Sequence, residues 1–139
     1  MTKTITAVAL AGLLAGSSML AGCGERQAHA NAAADKYAGL DEAIRGWRTA
    51  IEKTDAACSA KGADKGCQSF EVACKGERAI EADDQARGVS AKVVVAMQWQ
   101  GWNAEKSEFQ SSPGFAEFSK VGGTWRRQDA RRVNLTSCA

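Results

Sequence analysis

VSAKVVVAMQWQGW, residues 89–102, is the stretch whose reading decides the fold. It is dense in the β-branched and aromatic residues that favour a strand. Strand alternation puts Val93, Val95, Met97 and Trp99 on one face. Val94, Ala96 and Trp102 take the other, unless Gly101 marks a bulge. Downstream, Asn103 to Pro113 is polar and reads as a turn-containing connection, with Pro113-Gly114 as its clearest punctuation. Phe115 to Lys120 reads as a strand or a short helix. Gly122-Gly123 then leads into Thr124-Trp125-Arg126-Arg127, and Arg132 to Ser137 reads as a closing strand.

Upstream the period changes. From Asp35 to Cys58, the residues Tyr37, Leu40, Ile44, Trp47 and Ile51 recur at spacings of three and four, and Thr54 and Cys58 continue them. That places them on one stripe of an amphipathic helix, which packs on its own domain. Asp41 with Arg45, and Arg48 with Glu52, are i,i+4 pairs on the solvated side. Gly39 and Gly46 lie beside the stripe at a cost of about 1 kcal/mol each in a helix interior. Ser59 to Gly66 is a turn-rich connection. Gln68 to Arg87 then reads as a second helical segment, with Phe70, Ala73, Cys74 and Ile80 at compatible positions and Gly76 weakening it. Helices followed by strands form the α+β pattern. The expected architecture is a long N-terminal helix and a helical hairpin packed on a small antiparallel β-sheet, stapled by disulfides.

Of the five cysteines, Cys58, Cys67, Cys74 and Cys138 belong to this domain. Four cysteines in a small exported domain read as two disulfides with three possible connectivities. A shared helix would hold Cys67 and Cys74 ~10.5 Å apart along its axis, beyond bridging reach. A helical hairpin brings Cys58 beside Cys67 and leaves Cys74 for Cys138, which is the favoured pairing. A zinc site is the weaker account. The chain has no CxxC pair, and its single histidine, His29, precedes the domain.

The N-terminus carries an address. Lys3 precedes an apolar Ala- and Leu-rich run from Ile5 to Ala15, the charged and hydrophobic regions of a secretory signal too short to be a permanent span. Leu20-Ala21-Gly22-Cys23 resembles the lipobox of the bacterial lipoprotein family. The resemblance covers residues 1–23 only. It implies cleavage before Cys23, a diacylglycerol on the Cys23 sulfur and an acylated new amino group, such as with palmitate. Several acyl chains, each buried CH₂ contributing roughly 0.8 kcal/mol, anchor where one chain would not. Gly24, in the place where aspartate would retain such a protein at the inner membrane, implies delivery to the outer membrane. The expected organisation is a signal peptide over 1–22, a lipidated tether over 23–34 and a single periplasmic domain over 35–139. Residues Gly24 to Ala34 reach at most ~36 Å.

Composition narrows the function. The chain of 139 residues has 18 basic and 16 acidic side chains and a net charge of +2. Removal of residues 1–22 takes only Lys3 from that balance. A near-neutral domain lacks the basic excess of a dedicated nucleic-acid binder. Catalysis needs a nucleophile or base beside a partner that tunes it. The sequence carries no such motif, and Asp83-Asp84, with Glu77 and Glu81 nearby, reads as a solvated helix face. No cofactor is implied.

The binding candidates are Trp125, Arg126, Arg127, Arg131 and Arg132. A tight loop at Gln128-Asp129-Ala130 would set Arg127 opposite Arg131 and Arg126 opposite Arg132, a repulsion that an anionic ligand would offset. The competing account is a charged edge strand that resists aggregation. Trp47 reads as core, and Trp99 and Trp102 point to opposite faces. Trp125 is the candidate for an exposed anchor. The expected role is a non-enzymatic interaction or accessory module of the cell envelope, held by its lipid at the membrane. The alternative is a binder of a small or anionic envelope ligand through the sheet face and the Arg126–Arg132 region. A hydrolase whose site is assembled only by folding comes third.

Overall fold

The computed structural model describes residues 36–59 and 65–139. In chain order these form helix α1 (Leu40–Thr54), strand β1 (Gln68–Glu77), a one-turn helix α2 (Ala82–Ala86), then strands β2 (Val89–Asn103), β3 (Glu108–Val121) and β4 (Thr124–Asp129). The four strands make one antiparallel meander in the order β1-β2-β3-β4. Cys23, the signal sequence and the tether lie outside the described residues.

Strand β2 organises the sheet because both its faces are apolar and both become buried. Val93, Val95, Met97 and Trp99 join Ala116 and Phe118 of β3 beneath Leu40, Ile44, Trp47 and Ile51 of α1. On the opposite face, Val94 and Ala96 pack with Phe115 and with Ala130, Val133, Leu135 and Cys138 of the C-terminal tail. A strand buried on both faces also needs backbone partners at both edges. β3 supplies one and β1 the other, with Val72 opposite Met97, Lys75 opposite Val95 and Glu77 opposite Val93.

This arrangement overturns the expected α+β architecture of a long helix plus a helical hairpin on a small sheet. Gln68–Glu77 is a strand, so the hairpin does not exist, and only Ala82–Ala86 of the expected second helix is helical. Phe70, Ala73 and Cys74 fit a helical period by coincidence. β1 is an edge strand whose side chains are mostly exposed or half-exposed, so its sequence alternates weakly. Pairing with β2, not local propensity, fixes its conformation. The first helix is also shorter than Asp35–Cys58. Gly39 stands at its N-cap with φ +83°, a left-handed conformation that ends the helix on that side and suits glycine. Thr54 is exposed and turns its hydroxyl back to the Ala50 carbonyl at 2.9 Å, so the buried stripe closes at Ile51.

Two further expectations are corrected. The connection expected from Asn103 to Pro113 is mostly strand, since β3 begins at Glu108 and pairs without a break past Pro113. Phe115 accepts a hydrogen bond from Ala130 N at 3.0 Å, so its polar groups face the β4 side. Pro113, two residues earlier, faces the same way. There β4 has ended, because its partners run only from Ala116 to Val121. The missing proline N–H therefore meets no strand, and it denies a donor to any chain that would add there. Gly114 is required by close approach, since a Cβ would lie 2.9 Å from the Trp99 ring and 3.2 Å from that of Trp47.

Arg132–Ser137, expected as the last strand, is irregular tail. It folds over the second face of the sheet, where a Cβ on Gly76 would meet the Cys138 Cβ at 2.8 Å. Disulfides join Cys58 to Cys67 and Cys74 to Cys138. The first closes the path from α1 to β1 and the second pins the tail to β1.

Candidate functional site

The structure disperses the arginine cluster. Arg126 and Arg127 are neighbours on β4 and take opposite faces of the sheet, with Arg126 opposite Ser119 and Arg127 opposite Phe118. Arg127 pairs with Asp129 at 2.6 Å. The tight loop expected at Gln128–Ala130 is absent because β4 runs to Asp129, so Arg131 and Arg132 face no strand partner and lie exposed in the tail. Trp125 is not an exposed anchor. It is half-buried over Gly39, and its indole N–H donates to the Ala38 carbonyl at 2.9 Å. That contact ties β4 to the start of α1.

Arg126 instead belongs to a cleft on the face opposite α1. The cleft is about 250 Å³ in volume and is lined by Asp84, Arg87, Lys92, Glu117, Ser119 and Arg126, among others. Asp84, read from sequence as part of a solvated helix face, is only 4% exposed and is the buried charged group of the described residues. The one-turn α2 tucks it inward, through a reciprocal cap in which Glu81 N donates to the Asp84 carboxylate at 3.3 Å. Lys92 reaches the same carboxylate at 2.8 Å and Arg87 reaches it at 2.6 Å. Lys92 also stands 3.4 Å from Glu117, whose carboxylate accepts from Gln128 Nε2 at 2.8 Å. The hydrogen bond from Lys92 holds the Asp84 carboxyl below the usual aspartate range, and that bond to Asp84 raises the Lys92 ammonium above its ordinary value.

Acidification tests this pair. A carboxyl whose pKa is depressed on folding contributes stability above the unfolded aspartate value of about 3.9, and that contribution is lost as pH falls through the folded value. Asp84→Asn is therefore expected to be less stable than the parent at pH 7, with the difference shrinking below about pH 4. Urea unfolding across a pH series reads this directly. A difference independent of pH would mean that Asp84 acts by packing alone.

On the helix-bearing face, α1 does not close down onto β1. The hollow left between them has a volume of about 420 Å³ and is lined by Tyr37, Leu40, Asp41, Lys75, Glu77 and Val93. A second, of about 150 Å³, follows along the same pair of elements and is lined by Ile44, Arg48, Phe70, Val72 and Met97 among others. The floor is apolar and the rim is charged. Tyr37 donates its hydroxyl proton to Glu77 at 2.6 Å, Lys36 pairs with the same carboxylate, and Lys75 pairs with Asp41 at 2.5 Å. The bond from Lys36 is the main cause that lowers the Glu77 carboxyl, and the bond from Lys75 lowers that of Asp41. Arg48 lies over the Phe70 ring, 4.7 Å from its centroid. Val72 is the exposed large hydrophobic of the described residues, 36% accessible on the rim of the second hollow.

Sequence reasoning missed both places. Asp84 and Lys92 are eight residues apart across a one-turn helix that no periodicity announces. Tyr37 was assigned to the apolar stripe, but no signal linked it to Glu77, forty residues away. Val72 was hidden by the helical reading of β1. Alternation gave no clue there, because an irregularity between Val72 and Cys74 brings Val72 to the same face as Lys75 and Glu77.

Among the described residues, no group of three or more His, Cys, Asp or Glu is placed to hold a metal, and no helix is long and apolar enough to cross a membrane. Comparison with protein-family models, curated proteins and solved structures finds no match for this chain.

Proposed function

We propose that this protein is a lipid-anchored module of the cell envelope that faces the periplasm and acts without catalysis, by docking another envelope protein between α1 and β1. The observation that carries the docking is the open, apolar-floored groove along an edge strand, with Val72 exposed on its rim. Exposed aliphatic surface ringed by charge is the ordinary form of a protein–protein contact. The anchor rests on Leu20-Ala21-Gly22-Cys23, and Gly24 favours the outer membrane.

The fold supports a definite orientation for such a module. The described chain enters at Lys36, whose carbonyl accepts from Lys120 Nζ at 3.2 Å and whose ammonium meets Glu77. Lys120 and Glu77 lie at the ends of β3 and β1, so Lys36, where the described residues begin, sits at the end of the sheet where β2 begins. Lys92 to Asn103 spans roughly 36 Å at strand rise. The β2–β3 turn therefore projects away from the anchored end, and the groove runs along the side between them.

Val72→Glu tests the proposal. The substitution places a charge on the exposed rim, leaves the buried core untouched and is expected to change stability by less than about 0.5 kcal/mol. Affinity capture from solubilised envelope with the parent protein is expected to recover a near-stoichiometric protein, and Val72→Glu is expected to lose it. Equal recovery by both proteins would remove the groove from the account.

A further inference from the structure

We infer that the cleft between α2 and the outer strands, on the sheet face opposite α1, binds a phosphate group. The first ground is register. Lys92, Ser119 and Arg126 are cross-strand partners on β2, β3 and β4, so their side chains stand in one row on one face, with successive strands about 4.8 Å apart. Arg87, at the end of α2, closes the row from the side of β2 and Asp84.

The second ground is the state of the charges. Both carboxylates in the cleft are already engaged, Asp84 by Lys92 and Arg87, and Glu117 by Lys92 and Gln128. The Arg126 side chain makes no ion pair or hydrogen bond to any described residue, its backbone being paired with Ser119. Ser119 is half-buried between Lys92 and Arg126 and lines the cleft. Apart from the second oxygen of Glu117, the groups left with capacity are the Arg126 fork, the Ser119 hydroxyl and the remaining N–H groups of Arg87, and the cations Arg87, Lys92 and Arg126 outnumber the carboxylates Asp84 and Glu117. A phosphate offers negative charge and several strong acceptor oxygens, and guanidinium forks match its geometry. The carboxylates serve the site by fixing Lys92 and Arg87 in place. At about 250 Å³ the cleft has room for roughly eight waters, enough for a phosphate with part of its ester.

The third ground is position. The cleft lies beside the rows that carry Lys120 and Glu77, the end of the sheet where the chain enters. A tether of ~36 Å at most keeps that end near the anchoring membrane. The phosphate of a membrane headgroup is then one source and a soluble phosphate ester the other. The headgroup source rests on the lipid anchor proposed above; the phosphate chemistry does not.

Isothermal titration of the full mature protein in neutral detergent separates these sources, with inorganic phosphate, glycerol 3-phosphate and a short-chain phosphatidylglycerol as probes. Saturable binding is expected for at least one probe. It should weaken by about tenfold or more in Arg126→Gln, the scale of one lost charge-assisted bidentate contact, and stay unchanged in Arg132→Gln, which lies outside the cleft. Phosphatidylglycerol binding more tightly than the other two assigns the site to a headgroup, and equal or tighter binding of the soluble probes assigns it to a free ester. No saturable binding of any probe would overturn the inference, as would equal losses in Arg126→Gln and Arg132→Gln. Either failure leaves the Val72 groove on the opposite face untouched.

Discussion

Replacing Cys74 and Cys138 together by alanine is expected to lower the stability of this protein by about 4 kcal/mol. The bridge closes a loop of 64 residues, so its removal restores a large amount of conformational freedom to the unfolded chain. It also frees the tail that covers Val94 and Ala96. Without that cover, the second face of β2 keeps Ala73, the alanine at position 74 and Phe115 as its apolar neighbours from the strands. Arg78 donates to the Cys138 carbonyl at 2.8 Å, so the tail keeps some hold when the sulfurs are gone. Small domains are commonly stable by only about 5–15 kcal/mol, so the variant should unfold at much lower urea and at a lower temperature. By the same loop model, loss of Cys58–Cys67, which spans nine residues, is expected to cost less, about 2.5 kcal/mol. A loss below about 1 kcal/mol in the Cys74/Cys138 variant would show that noncovalent packing alone holds the tail.

The second large effect is expected on the other face. Trp47→Ala should cost about 3–5 kcal/mol. Trp47 is 7% exposed, meets Phe118 edge to face with ring centroids 6.0 Å apart, and lies over the space that Gly114 leaves open. A rigid strand pair beneath it cannot rise to fill the hole, so the cavity stays. Equilibrium unfolding measures the loss directly. A cost near that of an exposed helix position, within about 0.5 kcal/mol, would mean that α1 is not seated on β2 and β3.

These two faces mark how far the sequence could be read. The alternation in residues 89–102 assigned Val93, Val95, Met97 and Trp99 to one side and Val94, Ala96 and Trp102 to the other, because a strand buried on both faces has to satisfy two apolar sets at once. The stripe Leu40, Ile44, Trp47 and Ile51 was equally plain, since four large apolar side chains at helical spacing have no other use. β1 was illegible for the converse reason. As an edge strand with charged residues on its exposed positions it buries little, and what makes it a strand is the unsatisfied edge of β2, which lies twenty residues away in sequence. Pro113-Gly114 misled because proline and glycine are read as loop residues. Here one sits where no partner strand needs its N–H and the other where two indoles leave no room for a Cβ. The arginines of 126–132 were grouped by proximity in sequence, whereas strand alternation sends Arg126 and Arg127 to opposite faces. Arg126 stands in the cleft row with Lys92 and Ser119, whereas Arg127 borders the cleft but pairs with Asp129, and Asp84, the buried carboxylate that organises that cleft, looked like one acidic surface residue among several.

The docking of an envelope protein in the α1–β1 groove is tested most directly by a photo-activated cross-linking residue placed at Val72 in the living cell. Docking in the groove should give a discrete protein adduct from Val72 that does not form when the same residue is placed at Arg132 in the exposed tail. An adduct from Arg132 with none from Val72, or adducts of the same pattern from both, would contradict it.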